Sequence, residues 1–314
     1  MSLFFKAPVD IEIRLDNENT RKHVEVKSPQ GRTDSLPLYA DGESVKGQVS
    51  IRPREGKRLE HVGIKVQLLG TIESALDVIT SSDFLSLATE LASPETLNHA
   101  ETYPFEFKNV EKQHESYRGK NVTLRYYIRV VVSRKNKADL TREKELWVYQ
   151  YSTPQPSQQP QEVSAAKKGH SHLATRGSSV KMDVGIEHCL HIEFEYSKSR
   201  FSLKEVIVGR IHFLLVRLKI KHMEISLIRR ESVGSVPKQV VDSDTVVKFE
   251  IMDGAPVKGE SIPIRLFLGG YNLTPTYKDV NKKFSTRTYL SLVLIDEDAR
   301  RYFKQSEIIL FREE

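Results

Sequence analysis

Apolar residues at every second position are the feature that most limits what this chain can fold into. Val9, Ile11, Ile13 and Leu15 alternate with Asp10, Glu12 and Arg14. Val62, Ile64, Val66 and Leu68 repeat the pattern with Lys65 and Gln67 between them. Val122, Leu124, Tyr126, Ile128, Val130 and Val132 make one long apolar row, and Thr123, Arg125, Tyr127 and Arg129 make the opposite one. The period returns at Ile192, Phe194 and Tyr196 and again at Val216, Leu218 and Ile220. Side chains of an extended strand alternate between two faces, so this period predicts half-buried β-strands. Asp41-Gly42 reads as a turn between two of them. One segment departs from the pattern. In Ser82–Leu91, the residues Phe84, Leu85, Leu87, Ala88 and Leu91 fall at helical spacing, Ser81 or Ser82 can cap, and Pro94 follows. That spacing predicts a short helix lying on a sheet.

The halves of the chain resemble each other. Gly47 in Glu43–Val49 and Gly209 in Glu205–Ile211 occupy like positions 162 residues apart. Val122–Val132 matches Phe284–Leu294 at the same offset, pairing Arg125 with Arg287, Tyr127 with Tyr289 and Val131 with Val293. His61 and His222, each before an apolar strand, lie 161 apart. A period this long is no solenoid, and with strand patterning throughout it predicts a duplicated β-sandwich. Between the halves, 152–179 holds Pro154, Pro156, Pro160, several Gln and Ser, and almost no large apolar residue. Such a run buries too little surface to offset the entropy of ordering, which predicts a flexible linker or long surface loop. The expected fold is all-β: two antiparallel β-sandwich domains in tandem, 1–151 and 180–314, with one short helix in the first.

At 314 residues, 39% apolar and 29% charged, the chain has room for two such cores. No apolar run approaches the ~20 residues of a membrane helix. Met1–Lys6 lacks the pattern of a secretory leader, and the lone Cys189 allows no internal disulfide, so a reducing compartment is expected. The net charge of +6 is spread among acids, which is read as a solvated surface. Catalytic motifs are missing. Gly254–Ser261 faintly echoes a phosphate loop, but Glu260 stands where the lysine belongs and Pro256 removes an amide donor. His188-Cys189-Leu190-His191 offers at most two metal ligands on one strand face, with no further pair at familiar spacing. The acidic pairs Glu193 with Glu195 and Asp296 with Glu297 fit strand faces and turns. Basic-aromatic and zinc-finger patterns that would bind nucleic acid do not occur. The expectation is a binding protein without cofactor or metal, and not an enzyme.

Specific stretches carry a resemblance. Val206–Arg217, Phe249–Arg265 and Asp279–Ser285 in the second half, with Asp41–Val45, Lys57–His61 and Glu115–Tyr117 in the first, are similar to the arrestin-like subunit family of the retromer complex. The resemblance runs from about Val9 to Arg312 and implies an arrestin fold. It also implies a cytosolic coat subunit and cargo adaptor, peripheral on endosomal membranes, that serves endosome-to-Golgi and recycling transport. The implied partners are retromer's helical-solenoid subunit, its metallophosphoesterase-like subunit, sorting nexins and the cytoplasmic tails of membrane cargo. A general arrestin-type receptor adaptor is the alternative, and it would need clustered Lys and Arg for phosphate.

Two sets of site residues follow from the resemblance. The loop at Ile251, Met252, Asp253 and Gly254 is expected to dock the solenoid subunit. By parity Ile251 can be core, whereas Met252 is out of phase beside a turn and suits an exposed anchor. Met182, Val184 and Phe303 are expected to line a groove shared by a sorting nexin and a cargo tail. Phe303 has a competing reading as a core aromatic. Val180–Ile186, next to the linker, is expected to leave an unpaired edge able to accept an extended peptide.

Overall fold

The computed structural model describes residues 9–27, 31–54, 57–75, 81–152, 179–235 and 237–314. These residues form strands and no helix. They divide into two compact units, Met1–Gln150 and Tyr151–Glu314. The segment 153–178, the bulk of the expected linker, lies outside the described residues.

In the first unit the strands are β1 (Val9–Leu15), β2 (His23–Lys27), β3 (Thr33–Ala40), β4 (Val45–Pro53), β5 (Leu59–His61), β6 (Gly63–Ser74), β7 (Ser81–Ala92), β8 (Glu95–Leu97), β9 (Glu101–Phe107), β10 (Tyr117–Arg118), β11 (Val122–Arg134) and β12 (Lys137–Tyr149). A small sheet runs β1-β4-β9, and a large one runs β2-β3-β12-β11-β6-β7 with β10 on β11. The rows read from the sequence set the core: Leu124, Tyr126, Ile128, Val130 and Val132 of β11 are all buried.

The second unit holds β13 (Val180–Ile186), β14 (Leu190–Tyr196), β15 (Arg200–Ser202), β16 (Val206–Val216), β17 (Ile220–Val233), β18 (Val240–Asp253), β19 (Ser261–Phe267), β20 (Tyr277–Val280), β21 (Phe284–Asp296) and β22 (Arg301–Phe311). Its small sheet runs β13-β14-β16-β19, and its large sheet runs β15-β22-β21-β17-β18 with β20 on β21. Phe194, Ile211 and Phe213 of the small sheet and Ile225, Leu290 and Leu292 of the large one share a single buried core.

The duplication is visible in the pairing. Gly47 stands opposite Leu15 in the first unit, and Gly209 stands opposite Tyr196 in the second. Each large sheet contains the same short parallel pair, β3 on β12 and β15 on β22. Both units are thus sandwiches of the arrestin-like kind, as expected.

The expected helix is a correction. Residues 81–92 form β7, paired antiparallel to β6 at the edge of the large sheet. Its register shifts twice, between Ile64 and Lys65 and between Gly70 and Thr71 of the partner. A bulge adds one residue and breaks period two, so the apolar positions mimic a helix. At one shift Phe84 turns inward, packing edge-on to Tyr126 with ring centroids 5.2 Å apart. The free edge of β6 gives the backbone a ladder that outweighs local spacing.

Candidate interaction surfaces

The end of β18 is shaped by a bulge. Met223 pairs with Met252 and Glu224 with Glu250, so Ile251 is the extra residue. The added residue brings Met252 back into phase with the buried Met223. Ile251 and Met252 are accordingly both half-buried and pack against the core. Met252 is therefore no free-standing anchor, contrary to the parity argument. Asp253 and Gly254 beyond it are exposed. Gly254 has φ +105°, a left-handed conformation that favours glycine, and its N–H donates to the Lys221 carbonyl at 2.7 Å.

Two residues missed in the sequence join this surface. Val257, between Pro256 and Lys258, is 69% exposed. Its N–H donates to the Glu260 carboxylate at 3.0 Å, which folds the loop tightly. Phe249 is 38% exposed and meets Tyr271 edge-on at 6.2 Å. It borders a cavity of about 270 Å³ where β18 approaches β19, lined also by Ile251, Ile262 and Leu266. The clue to Val257 was a bare valine between proline and lysine in a polar turn. Phe249 gave no signal, because it follows strand parity.

The second surface is the seam between β13 and β22. β13 pairs with β14 on one side, and among the described residues no strand pairs its other side. Among the described residues this edge of β13 is unpaired. Met182 stands opposite Phe194 and Val184 opposite Ile192, and all four are buried. β22 is paired along β21, but β15 covers its other side only from Ile309 to Phe311. Among the described residues no strand pairs the other side of Arg301–Ile308, and β22 runs next to β13. Tyr196 Oη donates to Ser306 Oγ at 2.7 Å and ties the two sheets together at the seam.

Phe303 pairs with Val293 and is 65% exposed, so it is no core aromatic. Met182 and Val184 point into the core, whereas Phe303 points outward from the large sheet. The structure brings the three to one seam but not into one apolar pocket. The edge offers backbone hydrogen bonds and an exposed aromatic beside them, the requirements of strand addition.

Elsewhere, Cys189 is half-buried in the turn before β14, and His191 Nε2 lies 3.6 Å from Asp183 Oδ1. Among the described residues no three potential ligands gather for a metal.

Two tandem sandwiches of this topology define an arrestin-like fold class. The family model described as vacuolar protein sorting-associated protein 26 matches residues 5–299. The fission-yeast protein of that name (Schizosaccharomyces pombe) is 51% identical over 312 residues, covering 99% of this chain and 98% of the relative. The human vacuolar protein sorting-associated protein 26B is 50% identical over 314 residues, covering 99% and 88%. A zebrafish 26B-like protein is 50% identical over 315 residues, covering 100% and 90%. This chain belongs to the vacuolar protein sorting-associated protein 26 family. It is a protein-sorting component and not an enzyme.

Proposed function

We propose that this chain is a retromer coat subunit and cargo adaptor for endosome-to-Golgi and recycling transport. The end of β18 and the loop that follows it, from Phe249 to Val257, dock the helical-solenoid subunit. The β13 edge and Phe303 hold a cargo tail together with a sorting nexin. The metallophosphoesterase-like subunit joins through the same complex, which keeps the chain peripheral on endosomal membranes. One observation carries the reading: the match to a protein-sorting family over nearly the whole chain, at half identity. The geometry supports it, because the loop and the edge are separate surfaces that can be occupied together.

The test is affinity purification of the full chain from cytosol in mild salt. Equimolar recovery of a large helical-repeat protein is the expected result. Recovery of activated receptors without that protein would instead make the chain a direct receptor adaptor.

A further inference from the structure

The two units differ at one edge. In the second, β14 is covered on its outer side by β13. Its counterpart in the first unit is β1, since Leu15 faces Gly47 as Tyr196 faces Gly209. Among the described residues no strand covers the outer side of β1. The difference shows in burial: Ile192 on β14 is fully buried, whereas Ile11, its equivalent on β1, is only half-buried.

The space beside β1 is a groove, not a flat rim. Two cavities, of about 740 and 330 Å³, follow β1 from Val9 to Leu15, and Arg142 lines both. The far wall is the part of β12 that β3 leaves unpaired, because β3 joins β12 only from Trp147 to Tyr149. Seven extended residues span roughly 23 Å, the length of a short peptide strand.

The backbone of β1 already accepts substitutes for a missing neighbour. Lys144 Nζ donates to the Ile13 carbonyl at 3.2 Å, and the Leu15 N–H donates to Glu18 Oε2 at 3.4 Å. Both groups therefore point into the groove. Alternation along an antiparallel strand aims the Ile13 N–H and both backbone groups of Ile11 the same way. The acids of the groove are satisfied: Glu12 by Arg14, Glu18 by Lys144 and Glu143 by Arg129, each at 2.7 Å. Arg142 is exposed and has no ion-pair partner among the described residues.

We propose that β1 is a second strand-addition site, taking an extended acidic segment of a partner protein. Apolar side chains two residues apart cover Ile11 and Ile13, as Met182 and Val184 cover Ile192 and Phe194. A carboxylate meets Arg142. The inference is independent of the cargo seam, which lies in the other unit.

The test uses the full chain and a labelled heptapeptide, Val-Asp-Met-Asp-Val-Ser-Ile, acetylated and amidated. It copies the apolar spacing of β13 and carries two carboxylates. Binding is read by anisotropy and its place by amide hydrogen exchange. The peptide should slow exchange at Ile11 and Ile13. Ile11→Pro removes the outward N–H without touching the β4 ladder, and should weaken binding about tenfold. Arg142→Glu, on an exposed side chain, should weaken it and shift preference to the peptide with lysines for aspartates. Absence of binding up to about 1 mM overturns the proposal. So does protection confined to β13. It also fails if, without peptide, the Ile11 and Ile13 amides exchange as slowly as those of β14, because the chain itself then covers the edge.

Discussion

Single residues set how closely the strands approach at matched positions of the two units. A Cβ on Gly209 would stand 2.6 Å from the Glu195 carbonyl and 2.8 Å from Phe194, both in a packed sheet. Gly47 meets the Arg14 carbonyl and Phe105 in the same way. Gly209→Ala should therefore cost about 2–3 kcal/mol in urea unfolding, from overpacking rather than from φ. Lys112 is fully buried. Its ammonium donates to the carbonyls of Ala40, Glu43 and Val110 at 2.9, 2.6 and 3.2 Å. It thereby clamps the Asp41-Gly42 turn that the sequence announced. Lys112→Met strands three carbonyls and should cost about 3–5 kcal/mol. Burial pushes the Lys112 ammonium down from 10.5 to about 8, against the pull of the Glu43 and Asp41 carboxylates. The folded state thus sheds this proton before the unfolded state does. Its burial cost is full below about 8 and is relieved as pH rises toward 10.5. The melting-temperature gap between the wild type and Lys112→Met should widen between pH ~8 and ~10. A gap that narrows there would contradict the assignment.

At the scale of elements, legibility followed the regularity of the ladder. Strands with unbroken alternation, such as β1, β11 and β14, were read directly, because burial of one face dictates period two. Where a bulge intervenes, periodicity misleads. It gave β7 the look of a helix and made Met252 look exposed. Long-range pairing decides both cases, and no local spacing encodes it. The β13 edge was legible from its place at the start of a domain, but the direction of Val184 was not. The structure therefore separates two substitutions that the sequence treated alike. Phe303→Ser, on a mostly exposed side chain, should change stability by no more than about 0.5 kcal/mol. It should still weaken a cargo peptide measured with the nexin present. Val184→Asn buries an amide among apolar side chains and should cost about 2–4 kcal/mol, so any binding loss there reports folding. Calorimetry of both variants beside the peptide titration checks the distinction. If Phe303→Ser melts as low as Val184→Asn, the outward orientation is wrong.

Across the whole molecule, duplication supplies the frame, and strand edges and bulged strand ends supply the surfaces. The second unit covers its small-sheet edge with β13, whereas among the described residues no strand covers β1. The bulged ends are shared, since β7 at Leu91 and β18 at Ile251 each carry an extra residue. The offset of 162 residues made the frame readable, whereas β13 has no counterpart among the described residues to be read against. The claim on which the functional account turns is that the β18 end docks the solenoid subunit. Equilibrium binding of the purified full chain to that subunit tests it, with thermal melting of each variant alongside. Ile251→Asp with Met252→Asn should abolish binding and also lower the melting temperature by several degrees, because both side chains pack on the core. Asp253→Lys with Val257→Asp alters only exposed residues. That pair should weaken binding by about tenfold or more with unchanged melting. Wild-type affinity in the folded Asp253→Lys/Val257→Asp protein would contradict the account.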